Sequence, residues 1–293
     1  MSDILFPVRR IGRREFDFAR QVAIMAIVNR TPNSFHDKGR TFELHRAVEA
    51  ARAAVAAGAD WVDVGGFAFS ADQDGISVGE EVDRVVPVIA EIRNVTDAVI
   101  SVDTHRADVA KAALAAGADV INDTNGLREP GMAAVAAESG ATVIVTHSLA
   151  GPGKAVVRPV YGDVVTEVAD FLRERVRFVL DSGIPAERII IDPGHDLNKN
   201  TFHSLELMRR LDEITSIGYP TLVALSNKDF IGETLDRPQR ERTEGTIAAN
   251  VTAVLKGARI LRVHDVPATV AAVRMTEAML GWRAPIAPRH NLG

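Results

Sequence analysis

No cysteine occurs in the 293 residues, which removes disulfides, thiolate metal ligands and cysteine nucleophiles together. A basic excess is also missing. Lys and Arg number 34 against 39 Asp and Glu, a net charge of -5, so the chain offers no electrostatic footprint for a phosphodiester backbone. Nothing approaches a run of roughly eighteen consecutive apolar residues, and the first residues reach Pro7, Arg9 and Arg10 with no apolar signal core after them. Proline and glycine, 13 and 22 residues, are too few for a disordered or collagen-like chain. These absences lead to the expectation of a cytoplasmic protein, with no nucleic acid and no membrane involved.

What is present is a repeat of short β-branched runs and Ala-rich amphipathic stretches. Strands are predicted over 22–28, 61–64, 99–102, 120–122, 142–146, 189–192, 221–224 and 260–263. Helices are predicted over 44–57, 80–93, 107–116, 131–138, 164–181, 204–214, 241–256 and 267–280. Each strand is followed by a helix. Gly58, Gly117, Gly140, Gly183, Gly218 and Gly257 fall between a helix and the next strand, where a left-handed cap is wanted. Eight such units predict an α/β protein of the (β/α)8 TIM-barrel class, a single domain. An open doubly wound sheet is the alternative, but it would usually carry a Gly-rich turn after the first strand, where this chain has Asn29-Arg30-Thr31-Pro32-Asn33-Ser34. The expected divisions are an N-terminal β-hairpin over 1–21, the barrel over 22–283 and a C-terminal tail over 284–293.

In such a barrel, chemistry gathers at the C-terminal ends of the strands. There the sequence places Asn29, Asp63, Asp103, Asn122, Asp123, His147, Asp192, Ser226, Lys228, Arg262, His264 and Asp265. Any one Asp at a strand end reads as well as a helix cap or a backbone acceptor, and Asp265, just before the last helix, is expected to be one. As a set they suit a polar heterocycle: Asp accepts twice from a guanidine-like edge, Asn both donates and accepts, and Lys donates to a ring carbonyl. Arg262 and His264, on one side of the last strand, suit an anion.

Six segments carry a family resemblance: MAIVNRTPNSFHD (25–37), DVGG (63–66), SVDTHRADVAKAALAAGADVINDTNG (101–126), IIIDPG (189–194), SNKDFIG (226–232) and RVHDV (262–266). In these the chain resembles the dihydropteroate synthases within the wider pterin-binding barrel family. That family joins a pterin carrying a methylene diphosphate to para-aminobenzoate with the help of Mg2+. The resemblance implies that Asp103, Asn122, Asp192 and Lys228 bind a pterin. It further implies that Arg262 and His264 bind the diphosphate, that Asn29 ligates the metal and that the later helices form a homodimer.

Departures from the family pattern fall on the acceptor side. Arg30 and Asn33 stand where the family has Val and Asp, exchanging a negative charge for a positive one near the expected cation. Residues 67–72 replace Glu-Ser-Thr-Arg-Pro-Gly, so that Phe69 and Ser70 take the places of a Thr-Arg pair. His195, Asp196, Leu197 and Asn198 replace Phe, Gly, Phe and Gly, and Asn227 replaces an Arg. Bland readings stand beside these: Phe67 and Phe69 as barrel-edge packing, His147 and His195 as satisfied loop histidines, Lys199 as a solvated side chain. The leading expectation is a homologue that keeps its pterin and anion pocket but has weak or no synthase activity. A working synthase, and a pterin-family transferase with another acceptor, are the alternatives.

Overall fold

The computed structural model describes residues 4–29, 44–66, 76–151, 154 and 156–291. The altered positions Arg30, Asn33, Phe69 and Ser70 lie outside them.

Eight parallel strands form the predicted barrel: β3 (Ala23–Asn29), β4 (Trp61–Gly65), β5 (Val99–Asp103), β6 (Val120–Asp123), β7 (Thr142–Thr146), β8 (Ile189–Asp192), β9 (Leu222–Val223) and β10 (Ile260–Val263). Their order in the sheet is β8-β7-β6-β5-β4-β3-β10-β9, and a parallel bridge between Ile191 and Thr221 brings its two edges together. Helices α1 (Leu44–Ala56), α2 (Val78–Val95), α3 (Ala107–Ala115), α4 (Met132–Ser139), α5 (Val164–Asp181), α6 (Thr201–Arg209), α7 (Leu211–Thr215), α8 (Asp229–Leu235), α9 (Thr243–Leu255) and α10 (Val266–Met279) wrap the outside. The six glycines expected to cap helices all have positive φ, between 72° and 113°. None of the described helices is long and apolar enough to cross a membrane.

Strand parity sorts the side chains. Ile24, Val62, Ile100, Ile121, Val143, Ile191, Val223 and Leu261 face outward into two apolar layers shared with the helices. Met25, Trp61, Val99, Val120, Ile144, Ile190, Leu222 and Ile260 point into the barrel. Both faces are therefore buried, which is why these strands read as unbroken apolar runs.

Two short strands precede the barrel, β1 (Val8–Ile11) and β2 (Arg14–Asp17), paired as an antiparallel hairpin. They set Ile11, Phe16 and, just after them, Phe18 against the barrel interior. Phe16 stacks on Phe18 and meets Trp61 edge-on, with ring centroids 5.6 and 5.7 Å apart. Buried Arg9 fixes the plug by donating to the carbonyls of Glu187 at 3.0 Å and Ile189 at 2.8 Å. The N-terminal end of the barrel is thus closed by hydrocarbon, and only the opposite end is left to carry polar chemistry.

Candidate functional site

Continuing the inward parity toward the C-terminal ends replaces hydrocarbon with polar groups. After Trp61 comes Asp63, after Val99 come Ser101 and Asp103, after Val120 comes Asn122, after Ile190 comes Asp192, and after Ile260 comes Arg262. Arg262 ties the set together. Its Nε donates to Asp63 Oδ2 at 2.6 Å and its Nη2 to Asp103 Oδ2 at 2.7 Å. Asp63, fully buried, also accepts from Ser101 Oγ and, at 3.3 Å, from Asn122 Nδ2. Asp63 is thus the hub of the mouth. Inward parity was the sequence signal for that role, which its place beside the DVGG glycines does not announce.

The electrostatics follow from burial. Desolvation raises the Asp103 carboxyl to about 7, against the pull of Arg262 and with the help of Asp63. Burial would lower the Arg262 guanidinium, but Asp63 and Asp103 more than offset it and keep it charged. Two of its five N–H donors are engaged by carboxylates among the described residues.

Asp192, at the end of β8, is 5% exposed and raised by burial to about 6, although its Oδ1 accepts from the Gly194 amide at 2.7 Å. Lys199, Lys228 and Arg262 all act on it as cations. Lys228 is half-buried at the start of α8. His264 follows β10, half-buried, its amide donating to Ser226 Oγ at 3.3 Å. Asn29 ends β3 in register with Gly65, which is in turn in register with Asp103. Asp265 is the cap it was expected to be, accepting from the Ala268 amide at 3.1 Å. Asn122 and Arg262 therefore meet at Asp63, and Asp103 joins them through Arg262, with Asp192 close enough to Arg262 to feel its charge. Lys199 is not solvated: it is 7% exposed and bonded on several sides.

Across residues 25–264 the chain matches the family model described as pterin binding enzyme. A protein named inactive dihydropteroate synthase 2, from Mycobacterium leprae (strain TN), is 45% identical over 268 residues, covering 89% of this chain and 92% of its own. The chain belongs to the dihydropteroate synthase family of pterin-binding enzymes. Its fold overlays a Yersinia pestis dihydropteroate synthase, solved as a sulfonamide drug complex, with a TM-score of 0.89 at 34% identity over 94% of this chain and all of that one. A Xanthomonas albilineans dihydropteroate synthase in complex with 7,8-dihydropteroate gives 0.83 at 37%, covering 94% and 99%.

Against the dihydropteroate synthase pattern, the loop after β8 is rebuilt with definite contacts. The two positions where the family has glycine hold Asp196 and Asn198, with φ of 63° and 52°, and Asp and Asn are among the side chains that best tolerate this left-handed region. Each has found bonds. Asp196 Oδ2 accepts from the Asp229 amide at 2.7 Å and Oδ1 from Ser204 Oγ at 2.8 Å, while Asn198 Oδ1 accepts from the Ala150 amide at 3.0 Å. His195 stands where the family has an aromatic ring. It is 1% exposed, neither ring nitrogen has a partner among the described residues, and burial, reinforced by Lys199 and Lys228, holds it neutral with a pKa of about 3. It is buried but not satisfied, unlike His147, whose Nδ1 lies 2.9 Å from Lys199 Nζ.

Proposed function

We propose that this chain binds a pterin-type ligand at the barrel mouth and forms little or no dihydropteroate. Asp192, ionised above about pH 6, accepts from the 2-amino pyrimidine edge, Lys228 donates to the ring carbonyl, and Asp103 and Asn122 complete the ring contacts. Arg262 and His264 take the anionic group. The observation that carries this reading is the coexistence of an intact polar mouth with a rebuilt loop after β8. That the 45% identical Mycobacterium leprae relative is named an inactive synthase supports the same reading.

Mg2+ fits the donors in a limited sense. Among the described residues no cluster of three or more His, Asp or Glu is placed to hold a metal, and Arg262 engages Asp63 and Asp103. Mg2+ is usually held by one or two carboxylates with phosphate oxygens and several waters; here the Asn29 carboxamide would be the protein donor beside diphosphate oxygens and water, and the ion would supply neutralising charge to the diphosphate. We further propose a cytoplasmic location and a homodimer formed through the later helices. In support of the latter, Phe202, Leu235, Leu255, Met275 and Met279 expose apolar side chains on α6, α8, α9 and α10.

A working synthase is the second reading, favoured by the likeness to the Yersinia pestis enzyme and by retention of all seven expected site residues. Steady-state assay of the purified protein with dihydropterin diphosphate, para-aminobenzoate and Mg2+, alongside calorimetry with each substrate, separates the two. Pterin binding without turnover is expected. Turnover within ~tenfold of an ordinary family enzyme promotes the second reading, and absence of pterin binding removes both.

A further inference from the structure

Lys199 is a buried cation the mouth does not use directly, and its bonds form a closed circuit. Lys199 Nζ lies 2.9 Å from His147 Nδ1 and donates to the Gly194 carbonyl at 2.8 Å. The His147 amide donates to the Asp192 carbonyl at 2.9 Å, and the Gly194 amide donates to Asp192 Oδ1 at 2.7 Å. Starting from Lys199, the circuit runs through His147 and the Asp192 main chain, returns through the Asp192 carboxylate and Gly194, and closes. A further bond to the Leu197 carbonyl, 3.1 Å, holds the following loop to the same nitrogen. His147 is neutral, its pKa pushed down first by burial and then by Lys199 and Arg128, so its Nδ1 is free to accept.

We propose that Lys199 is a positioning residue for the pterin-facing carboxylate: it locks the ends of β7 and β8 around Asp192 and keeps that carboxylate ionised. The proposal rests on the reading that a pterin binds at Asp192. A pterin edge presenting two N–H donors needs both carboxylate oxygens unprotonated and correctly turned, and one of them is already oriented by Gly194. The charged and titratable groups around the pair are Lys228 and Arg262 on the mouth side, Asp196 on the loop side, and the histidines His195 and His203 nearby. Among the cations acting on Asp192, Lys199 has the largest effect, and it is the one that also belongs to the circuit. Burial brings Lys199 itself down to about 7, with Asp192 and Asp196 opposing the shift.

The test is calorimetric binding of 6-hydroxymethylpterin between pH 5 and 9 to the wild type, Lys199→Met, Lys199→Gln and Lys199→Arg, with thermal melts to show that each is folded. The ligand's own titration is common to all four proteins and cancels in the comparison. In the wild type, affinity falls as pH drops through Asp192's titration. In Lys199→Met that acid limb moves up by ~1 pH unit, so affinity falls ~tenfold at pH 5 but only ~twofold at pH 7. Lys199→Gln keeps a donor without the charge, so it shifts the limb with a smaller loss of affinity, and it carries the test if the Met variant does not fold. Lys199→Arg, charged throughout, leaves the acid limb where it is. An acid limb unmoved in both uncharged variants, or an affinity loss uniform across pH, overturns the role of Lys199 while leaving pterin binding intact. No pterin binding by the wild type at any pH overturns both.

Discussion

A carboxylate kept nearly dry at the end of a strand is costly to the empty protein and useful to a ligand, and Asp192 shows both sides. Its pKa is raised to about 6, above the ordinary value of about 3.9 in an unfolded chain. The folded state therefore binds the proton more readily than the unfolded one, so this residue favours folding at low pH and costs stability as pH rises through about 6. Asp192→Asn is expected to make the empty protein more stable by ~2 kcal/mol at pH 8, an advantage that fades by pH 4, while weakening pterin binding by ~1.5–3 kcal/mol. Denaturant melts across that range and calorimetry at pH 7.5 check the pair of effects. Equal pterin affinity in wild type and variant removes Asp192 from the pocket. The sequence showed the residue and its place at a strand end, but not the company it keeps. Lys199 sits seven positions further on, and nothing local marks its ammonium as turning back into the wall instead of into water.

Elements were legible where their cause is local. Strands buried on both faces and glycine caps announce themselves, and β7, β8, β10 and α5 run over the predicted residues. Where the cause is distant the reading failed. The helix α8 was not expected, because it starts directly after Lys228 with no capping side chain of its own. Its cap arrives from Asp196, 33 residues earlier, whose Oδ2 accepts from the Asp229 amide at 2.7 Å. The single helix expected over 204–214 divides at Arg210, where φ is -116° and ψ 26°, in a stretch with no Gly or Pro to mark the break. The strand expected over 221–224 keeps only Leu222–Val223, with Thr221 reduced to the bridge that closes the barrel. The borrowed cap gives a prediction at this scale. Asp196→Ala is expected to cost ~1–2 kcal/mol, combining a lost cap with an alanine forced into the left-handed region. Hydrogen exchange at the Asp229 amide should speed up, and Asp196→Asn, which retains an acceptor and tolerates φ of 63°, should lose less. Unchanged exchange at Asp229 in the alanine variant means that the cap does not hold α8.

At the scale of the whole molecule, stability and chemistry occupy opposite ends. The hairpin plug, the inward hydrocarbon and the two outward layers hold the barrel. The carried-over polar residues need only the strand ends. The positions that depart most from the family, Arg30 and Asn33 in one segment and 67–72 in the other, follow β3 and β4, which are neighbours with Asn29 in register with Gly65. If the two segments act on one half-site, as the family resemblance implies, their effects on a shared transition state are coupled. Changing them should leave the fold intact and alter the reaction. On the proposed reading, an arginine in place of a neutral residue and a lost carboxylate both disfavour a pterin-methylene cation, and the missing Thr-Arg pair leaves the diphosphate and the acceptor less firmly held. At ~2–4 kcal/mol of transition-state stabilisation for each change, several decades of rate are lost even without full additivity. Replacing 67–72 by Glu-Ser-Thr-Arg-Pro-Gly together with Arg30→Val and Asn33→Asp is expected to restore part of kcat/KM with little change in melting temperature. Either replacement alone should restore much less, since each leaves the other deficit at the same centre. If the combined variant folds, binds pterin and still forms no dihydropteroate, the deficit lies in the loop after β8, where His195 and Leu197 have replaced the family's two aromatic rings.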